Sequence, residues 1–261
     1  MGETKRMNNI YDDNHARLYD LVVEFYFDYK KSTEALLEIT KGKTNITEIG
    51  VGTGNIAIPL AEARKINLNV FDSSNGMLNV FKGKINPINK YILEIGVYDV
   101  ETATLKNGSN ISFFNYSFED LVTERIKTQA IYSHSGPLTA YTTKDGLKII
   151  ADSEQNFHKI IHTASEILDK NGILIINIEE PISREFKVRN GTYIKTVHRF
   201  DNIFHRTYTY SPENQPTFSF ELESPVMDIK TYVLPHLKKA GFDNFKEDLD
   251  KGFFWAEKTS S

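Results

Sequence analysis

The run Glu48-Ile49-Gly50-Val51-Gly52-Thr53-Gly54-Asn55 sets three glycines at alternate positions directly after an acidic residue. Glycine lets a backbone turn tightly and approach a ligand without a Cβ clash, and a helix that begins just beyond the turn offers free N–H groups. Such a turn suits a nucleotide-like cofactor. A dinucleotide fingerprint would read G-x-G-x-x-G, its third glycine packing helix against strand. Asn55 stands at that third position here. Two other residues could join the chemistry. Asp72 closes the next β-rich run and can accept two hydroxyl hydrogen bonds. His134 follows a later apolar run, and a histidine there has a side chain that titrates near neutrality.

The elements around these residues alternate. Residues 16 to 40 have helical apolar spacing, with Leu18, Leu21, Val22, Phe25, Ala35, Leu36 and Ile39 on plausible inner faces. A strand over 45–51 leads through the glycines into a helix over 56–63. A second strand, 68–71, ends at Asp72, where Ser73 or Ser74 can cap a helix carrying Met77, Leu78, Val80 and Phe81. Residues 83–110 give no clean period and read as an insertion. Strands are expected at 111–114, 130–132 and 173–178, with a helix after Glu119, a polar loop after 132, and a helix over 153–168 stopped by Asp169-Lys170-Asn171-Gly172. Strands alternating with helices imply a parallel, doubly wound sheet. From Phe186 to Glu223 the period becomes two, with Tyr193, Lys195 and Val197 opposed to Ile194, Thr196 and His198, which reads as a small antiparallel insertion. A helix over 229–240 and a strand over 253–256 close the chain.

Composition narrows the function. The chain has 261 residues, a formal net charge of −4 and no Lys/Arg block longer than a pair, which disfavours a nucleic-acid partner. It has no cysteine, so disulfides, thiolate metal sites and cysteine nucleophiles are excluded. Seventeen Phe, thirteen Tyr and one Trp can build a core or line a pocket for a flat or cationic ligand. No apolar leader stands at Met1–Tyr11 and no run approaches ~18 apolar residues, so a cytoplasmic protein without a membrane partner is expected.

The spacing Glu48-x-Gly50-x-Gly52-x-Gly54 resembles the first motif of class I S-adenosylmethionine (SAM)-dependent methyltransferases. Phe71-Asp72-Ser73-Ser74-Asn75-Gly76-Met77-Leu78 is similar to the family's D-x-S-x-x-M-L segment, and Ser117-Phe118-Glu119-Asp120-Leu121 to its adenine-flanking segment. Leu168-Asp169-Lys170-Asn171-Gly172-Ile173-Leu174 is similar to L-K-P-G-G-x-L, and Lys239-Ala240-Gly241-Phe242 carries the A-G-F near the end. The chain departs from the pattern at Ser117 and Gln129, where the family often has Asp. Ser133-His134-Ser135-Gly136-Pro137 stands in place of the tetrad of amino-methyltransferases that act on nucleobases or glutamine.

The resemblance implies a Rossmann-like, mostly parallel seven-stranded sheet with N-terminal helices and an antiparallel insertion after strand five. The corresponding segments are a helical cap over 1–40, a SAM-binding core over 41–182, a β insertion over 183–225 and a closing helix and strand over 226–261. It also implies SAM as cofactor and S-adenosyl-L-homocysteine as product. The cofactor contacts would be Tyr11, Tyr19, Tyr29, Glu48, Gly50, Gly52, Gly54, Asp72, Ser73, Met77, Phe118, Glu119 and Ser133. SAM carries a sulfonium and an ammonium and no phosphate, so acids near the glycine turn suit it.

Tyr11, Tyr19-Asp20, Asp28-Tyr29, the β insertion and Glu180-Pro181 are similar to small-molecule N-methyltransferases, notably those acting on amino sugars and glycine. In that group the insertion builds the substrate pocket or a homodimer contact. Methyl transfer is an in-line displacement at an already activated carbon, so no metal is required and the protein must align the nucleophile and exclude water. His134 is the candidate base, and Tyr29, His134, Glu180 and Tyr208 are candidate substrate contacts. His158 and His162 have ligand spacing on one helix, but no third ligand accompanies them. Methylation of a small amine leads. A small-molecule O-methyltransferase and a SAM-binding module without turnover are the alternatives.

Overall fold

The computed structural model describes residue 16, residues 19–20, 27–95, 98–121, 126–181, 183–188, 191–200, 203–213 and 217–259. Tyr11 lies outside them. Ala16, Tyr19 and Asp20 are helical. Helix α1 (Tyr29–Ile39) starts at Asp28, whose carboxylate accepts from the Lys31 N–H. Then follow β1 (Asn45–Ile49), α2 (Ala57–Ala63), β2 (Asn67–Phe71) and α3 (Asn75–Lys84). Residues read as an insertion form the hairpin β3 (Asn89–Ile95) and β4 (Tyr98–Thr104), ahead of β5 (Asn110–Phe114). Phe118–Asp120 form a 3-10 turn, and the helix expected after Glu119 falls largely outside the described residues. Strand β6 (Thr128–Ser133) ends at His134.

The stretch expected as a polar loop is a second hairpin, β7 (Leu138–Thr143) and β8 (Gly146–Ala151). Asp145-Gly146 between two β-rich runs is the turn signal for it. Helix α4 (Glu154–Ile167), capped by Ser153, leads into β9 (Leu168–Glu179). The insertion contains β10 (Arg184–Val188), β11 (Gly191–Phe200), β12 (Ile203–Pro212) and β13 (Phe218–Asp228). A π turn over Ile229–Val233 runs into α5 (Leu234–Lys239), and β14 (Phe242–Asp248), not expected from sequence, pairs with β15 (Phe253–Lys258).

Strands β5, β2, β1, β6 and β9 lie side by side and parallel, and β15 and β14 continue the sheet antiparallel past β9. Strands β4 and β3 extend the other edge, so the sheet is wider than the seven strands expected. Each central strand feeds two cores. Ile46, Ala130, Ile175 and Phe253 pack with α1, α2 and α3, while Ile49, Ile131, Ile176 and Phe254 pack with α4 and α5. Burial on both faces is why these strands read as continuous apolar runs.

Strand β9 divides its outer edge. Ile173–Asn177 pair with β15, whereas Ile178 and Glu179 pair with Ala140 and Tyr141 of β7. From β7 an antiparallel sheet continues through β8, β13, β12 and β11 to β10. The accessory layer thus draws β7 and β8 from inside the segment expected to be core, and extends to Asp228 rather than to 225. Among the described residues no helix is long and apolar enough to cross a membrane.

Two glycines beside α2 and in α3 respond oppositely to a methyl group. At Gly54 (φ 80°) a Cβ would lie 2.6 Å from the Phe81 ring, whereas at Gly83, in α3, it would meet nothing within 4 Å. Gly54→Ala is expected to lower unfolding stability by about 1–3 kcal/mol through overpacking, and Gly83→Ala to raise it by about 0.4–1 kcal/mol by restricting the unfolded chain. Urea denaturation of the two variants checks both signs.

Candidate functional site

All three glycines between β1 and α2 have positive φ, but they serve different needs. At Gly50 an added Cβ would lie 2.6 Å from Pro137 Cδ and 2.8 Å from Gly136 Cα, so its lack of a side chain admits the turn after β6. At Gly52 (φ 56°) the nearest described atom to such a Cβ is Tyr19 Cε1, in ordinary contact at 4.0 Å, with no described backbone crowding the turn. A ligand can approach the backbone there. The Gly52 N–H donates to Asp72 Oδ2 and the Ser74 N–H to Asp72 Oδ1, both at 2.8 Å. Burial pushes the Asp72 carboxyl up to about 6 against the pull of those two amides. Each of its oxygens keeps a further lone pair for a hydroxyl donor. Ser74, not Ser73, caps α3 by accepting from the Met77 N–H at 3.2 Å, and Ser73 is exposed.

Glu48 and Tyr132 are register partners on β1 and β6, and the Tyr132 hydroxyl donates to Glu48 Oε2 at 2.5 Å. Burial drives the Glu48 carboxyl well above the ordinary carboxylate range and the Tyr132 phenol above its own. A cation beside Glu48 would restore its charge. Over the turn stands the helix bearing Tyr19 and Asp20. The Asp20 carboxylate accepts from Thr53 Oγ1 and from Asn55 Nδ2 and pairs with Lys84 at 2.6 Å. Tyr29 joins the same group through a side-chain hydrogen bond to Asn55, and burial raises its phenol.

The turn after β6 carries the second half of the site. Ser133 Oγ accepts from the Leu138 N–H at 3.3 Å, and Ser135 adopts φ 54°, a strained conformation for a non-glycine residue. In that conformation its N–H donates to Asn177 Oδ1 at 2.9 Å and its hydroxyl to Glu179 Oε1 at 2.7 Å. Asn177 Nδ2 and the Tyr141 hydroxyl also donate to Glu179, at 3.1 and 3.2 Å, and Lys195 Nζ of β11 lies 3.6 Å from Oε2. Burial opposes the charge on Glu179, but Lys195, Ser135 and Asn177 outweigh it and hold the carboxyl below its ordinary value. Lys195 also stands over the Tyr208 ring, 5.8 Å from its centroid.

Between α1 and the end of β9 lies a cavity of about 210 Å³, lined in part by Phe27, Ser32, His134, Glu179 and Glu180. The His134 ring nitrogen Nε2 shares a hydrogen bond of 3.1 Å with Ser32 Oγ, and the ring packs against Phe27 and Tyr29. Burial pushes its pKa down to about 4, with Glu179 pulling weakly the other way. The titration near neutrality expected of it is therefore corrected. His134 is neutral at neutral pH, because its surroundings are aromatic rather than wet.

The structure gathers Tyr19, Tyr29, Glu48, Gly52, Asp72, Ser133 and His134 around the ends of β1, β2 and β6. Gly50 and Gly54 act through packing. Phe118 is buried in the core, edge-on to Phe71 at 5.3 Å, and Met77 is buried at the start of α3. Glu119 lies half-buried on the 3-10 turn. Glu180 is exposed at the cavity rim, and the buried carboxylate is its neighbour Glu179. Asp20, Ser135, Asn177, Glu179 and Lys195 were not among the site residues expected from the sequence. A lysine in register with Tyr193 and Val197 was the available sign of a buried charge. Gln129 has a local reason: its Oε1 accepts from the Thr44 and Asn45 N–H groups at 2.7 and 3.2 Å. His158 bonds Tyr232 while His162 pairs with Glu166, so the two histidines diverge.

Among solved structures the chain is similar to a SAM-dependent methyltransferase from Clostridium acetobutylicum ATCC 824, at 14% identity over 95% of this chain and 99% of that one, with a TM-score of 0.63. It is similar to DesVI of Streptomyces venezuelae, at 13% identity over 93% and 97%, TM-score 0.61. A third is the SAM-bound amino pentose methyltransferase from Micromonospora echinaspora involved in calicheamicin biosynthesis, at 11% identity over 93% and 97%, TM-score 0.60. No family model and no curated protein matches the sequence. The chain has the mixed α/β fold of these methyltransferases.

Removing Lys195 would leave Glu179 buried without its counter-charge. Lys195→Met is expected to cost about 3 kcal/mol at neutral pH, and Lys195→Met with Glu179→Gln much less. Because Glu179 titrates below its ordinary value when folded, the pair adds stability above the ordinary carboxylate range and loses it as acid protonates Glu179. The gap between wild type and Lys195→Met should therefore close on acidification, which denaturant titrations at several pH values would measure.

Proposed function

We propose that this protein is a SAM-dependent methyltransferase acting on a small-molecule amine. The observation that carries the reading is the glycine turn at Gly52, flanked by Asp72 and Glu48 and joined through Tyr29, which packs on His134, to the cavity lined by His134 and Glu179. The donor set fits the cofactor. Two carboxyls at a glycine turn repel a pyrophosphate but suit a diol and a cation. Asp72 would hold the ribose hydroxyls on its remaining lone pairs, Glu48 would face the cationic end, and Tyr19 would cover the turn. When bound, SAM supplies a methyl group already activated by its sulfonium.

The chain's own contribution is placement and the exclusion of water. Phe27, backed by Tyr29, gives the cavity an aromatic side, which suits a cationic or methylated amine, and the charged Glu179 in the same lining draws an ammonium. His134, neutral and tied to Ser32, can accept a hydrogen bond from the amine N–H and so direct its lone pair. With a pKa near 4 it is a weak proton acceptor at neutral pH. The amine must then reach the site largely as the free base. The amino pentose methyltransferase above supports this reading through its shared fold, and the buried carboxylate supports an amine over a phenol.

Calorimetric titration with S-adenosylhomocysteine, with NAD as control, tests the cofactor. Binding of the first alone is expected; binding of neither, or of NAD, would overturn the reading. Asp72→Ala should weaken binding by ~1–3 kcal/mol. Protonating Asp72 removes acceptor capacity, so wild-type affinity should fall as pH drops below about 6, and Asp72→Asn should abolish that dependence. In an assay of methyl-labelled SAM against a panel of amines, His134→Ala should lower turnover far more than cofactor affinity. The wild-type rate should show no histidine inflection near its ordinary value.

A further inference from the structure

The hairpin β3–β4 closes one side of the main sheet, and no described strand pairs with the outer edge of β3. Free edges in native sheets are ordinarily short, or interrupted by proline or a bulge, because their unpaired N–H and C=O groups are templates for another chain. Strand β3 lacks these protections, and the charged side chains that also guard edges are here Lys90 and Glu94, of opposite sign and so able to pair with a second copy. It is seven residues long, Asn89-Lys90-Tyr91-Ile92-Leu93-Glu94-Ile95, without proline, and its register with β4 is unbroken. It is also apolar on the outside: Ile92 is 70% exposed, Leu93 39%, and Ile88, just before it, 63%.

We propose that a second copy of this chain pairs with this edge, antiparallel, about a two-fold axis at Ile92. The sequence of the strand selects both the occupant and the register. In that register Lys90 stands opposite Glu94 of the second copy, and by symmetry the pair occurs twice. Ile92 stands opposite Ile92 of the second copy, and Tyr91 opposite its Leu93, so one face carries two ion pairs around an apolar centre and the other an aromatic–aliphatic ladder. Moving the axis by one residue loses this match. An axis at Tyr91 sets Lys90 against Ile92, and an axis at Leu93 sets Glu94 against Ile92. Only the Ile92 axis pairs both charges, and a two-fold contact uses one patch on both molecules and closes. The two main sheets would then run on as one across the axis. The inference does not depend on the methyltransferase reading, and it places the contact at the opposite end of the sheet from the accessory layer.

Sedimentation equilibrium of the full chain tests it. A dimer is expected, and Lys90→Glu should weaken it by about tenfold or more, because two attractive pairs become two repulsive ones. Glu94→Lys should act likewise, and the charge-swapped Lys90→Glu/Glu94→Lys variant should restore association. Ile92→Lys, also at an exposed position, should give a folded monomer by circular dichroism and sedimentation. A wild-type chain that stays monomeric, a dimer indifferent to Lys90→Glu, or a swap that fails to restore pairing would each overturn the proposal.

Discussion

Everything in the site hangs on a place where two backbones touch without side chains between them. Gly50, at the end of β1, faces Gly136 and Pro137 in the turn after β6, and a Cβ on either glycine would collide with the other segment. Close backbone approach of this kind is available only to glycine. It brings the turn that binds Asp72 through Gly52 against the turn that carries Ser133, His134 and Ser135. The turn that carries the acids and the turn that carries His134 are thus two halves of one contact, at the ends of adjacent parallel strands where α/β sheets bind ligands.

A second constraint works outward from that contact. Ser135 holds its strained φ because its N–H and hydroxyl are both satisfied, by Asn177 and Glu179. Glu179 stays charged in a buried position because Lys195 reaches it from β11. The accessory sheet is therefore anchored to the central sheet by polar groups as well as by strand pairing. A buried ion pair of this sort is weak evidence of net stability, since desolvation offsets much of the attraction. Its clearer effect is positional: it fixes Tyr208 and the accessory layer relative to the mouth of the cavity.

The buried acids also divide their labour by environment. Asp72 keeps two amide donors and titrates within the reach of ordinary pH, while Glu48, held among the described residues by the Tyr132 hydroxyl, is pushed by burial well toward its neutral form. Glu179, with a lysine and several donors, is pushed the other way. Three carboxyls in one region thus present a hydrogen-bonding acid, a latent charge and a fixed charge. His134, among aromatic rings, is held neutral by the same rule of desolvation.

The sequence by itself determined the features that repeat along the chain or depend on neighbouring residues. Alternating strands and helices, the glycine turn, Asp72 at a strand end, the serine caps and the two-residue period of the insertion are local, and local sterics or periodicity make them legible. The hairpins β3–β4 and β7–β8 were less so, because short strands between polar turns carry little periodic signal, although Asp145-Gly146 marked one of them. What only the tertiary structure decided was which side chains meet. Glu179 rather than Glu180 is the buried acid, because β9 switches partner from β15 to β7 at that point. Lys195 finds it across sixteen residues of sequence and four intervening strands of the sheet, and His134 loses its ordinary titration on burial among rings from the distant start of α1. Burial and charge are set by what packs from elsewhere in the chain, and no spacing along a single segment encodes them.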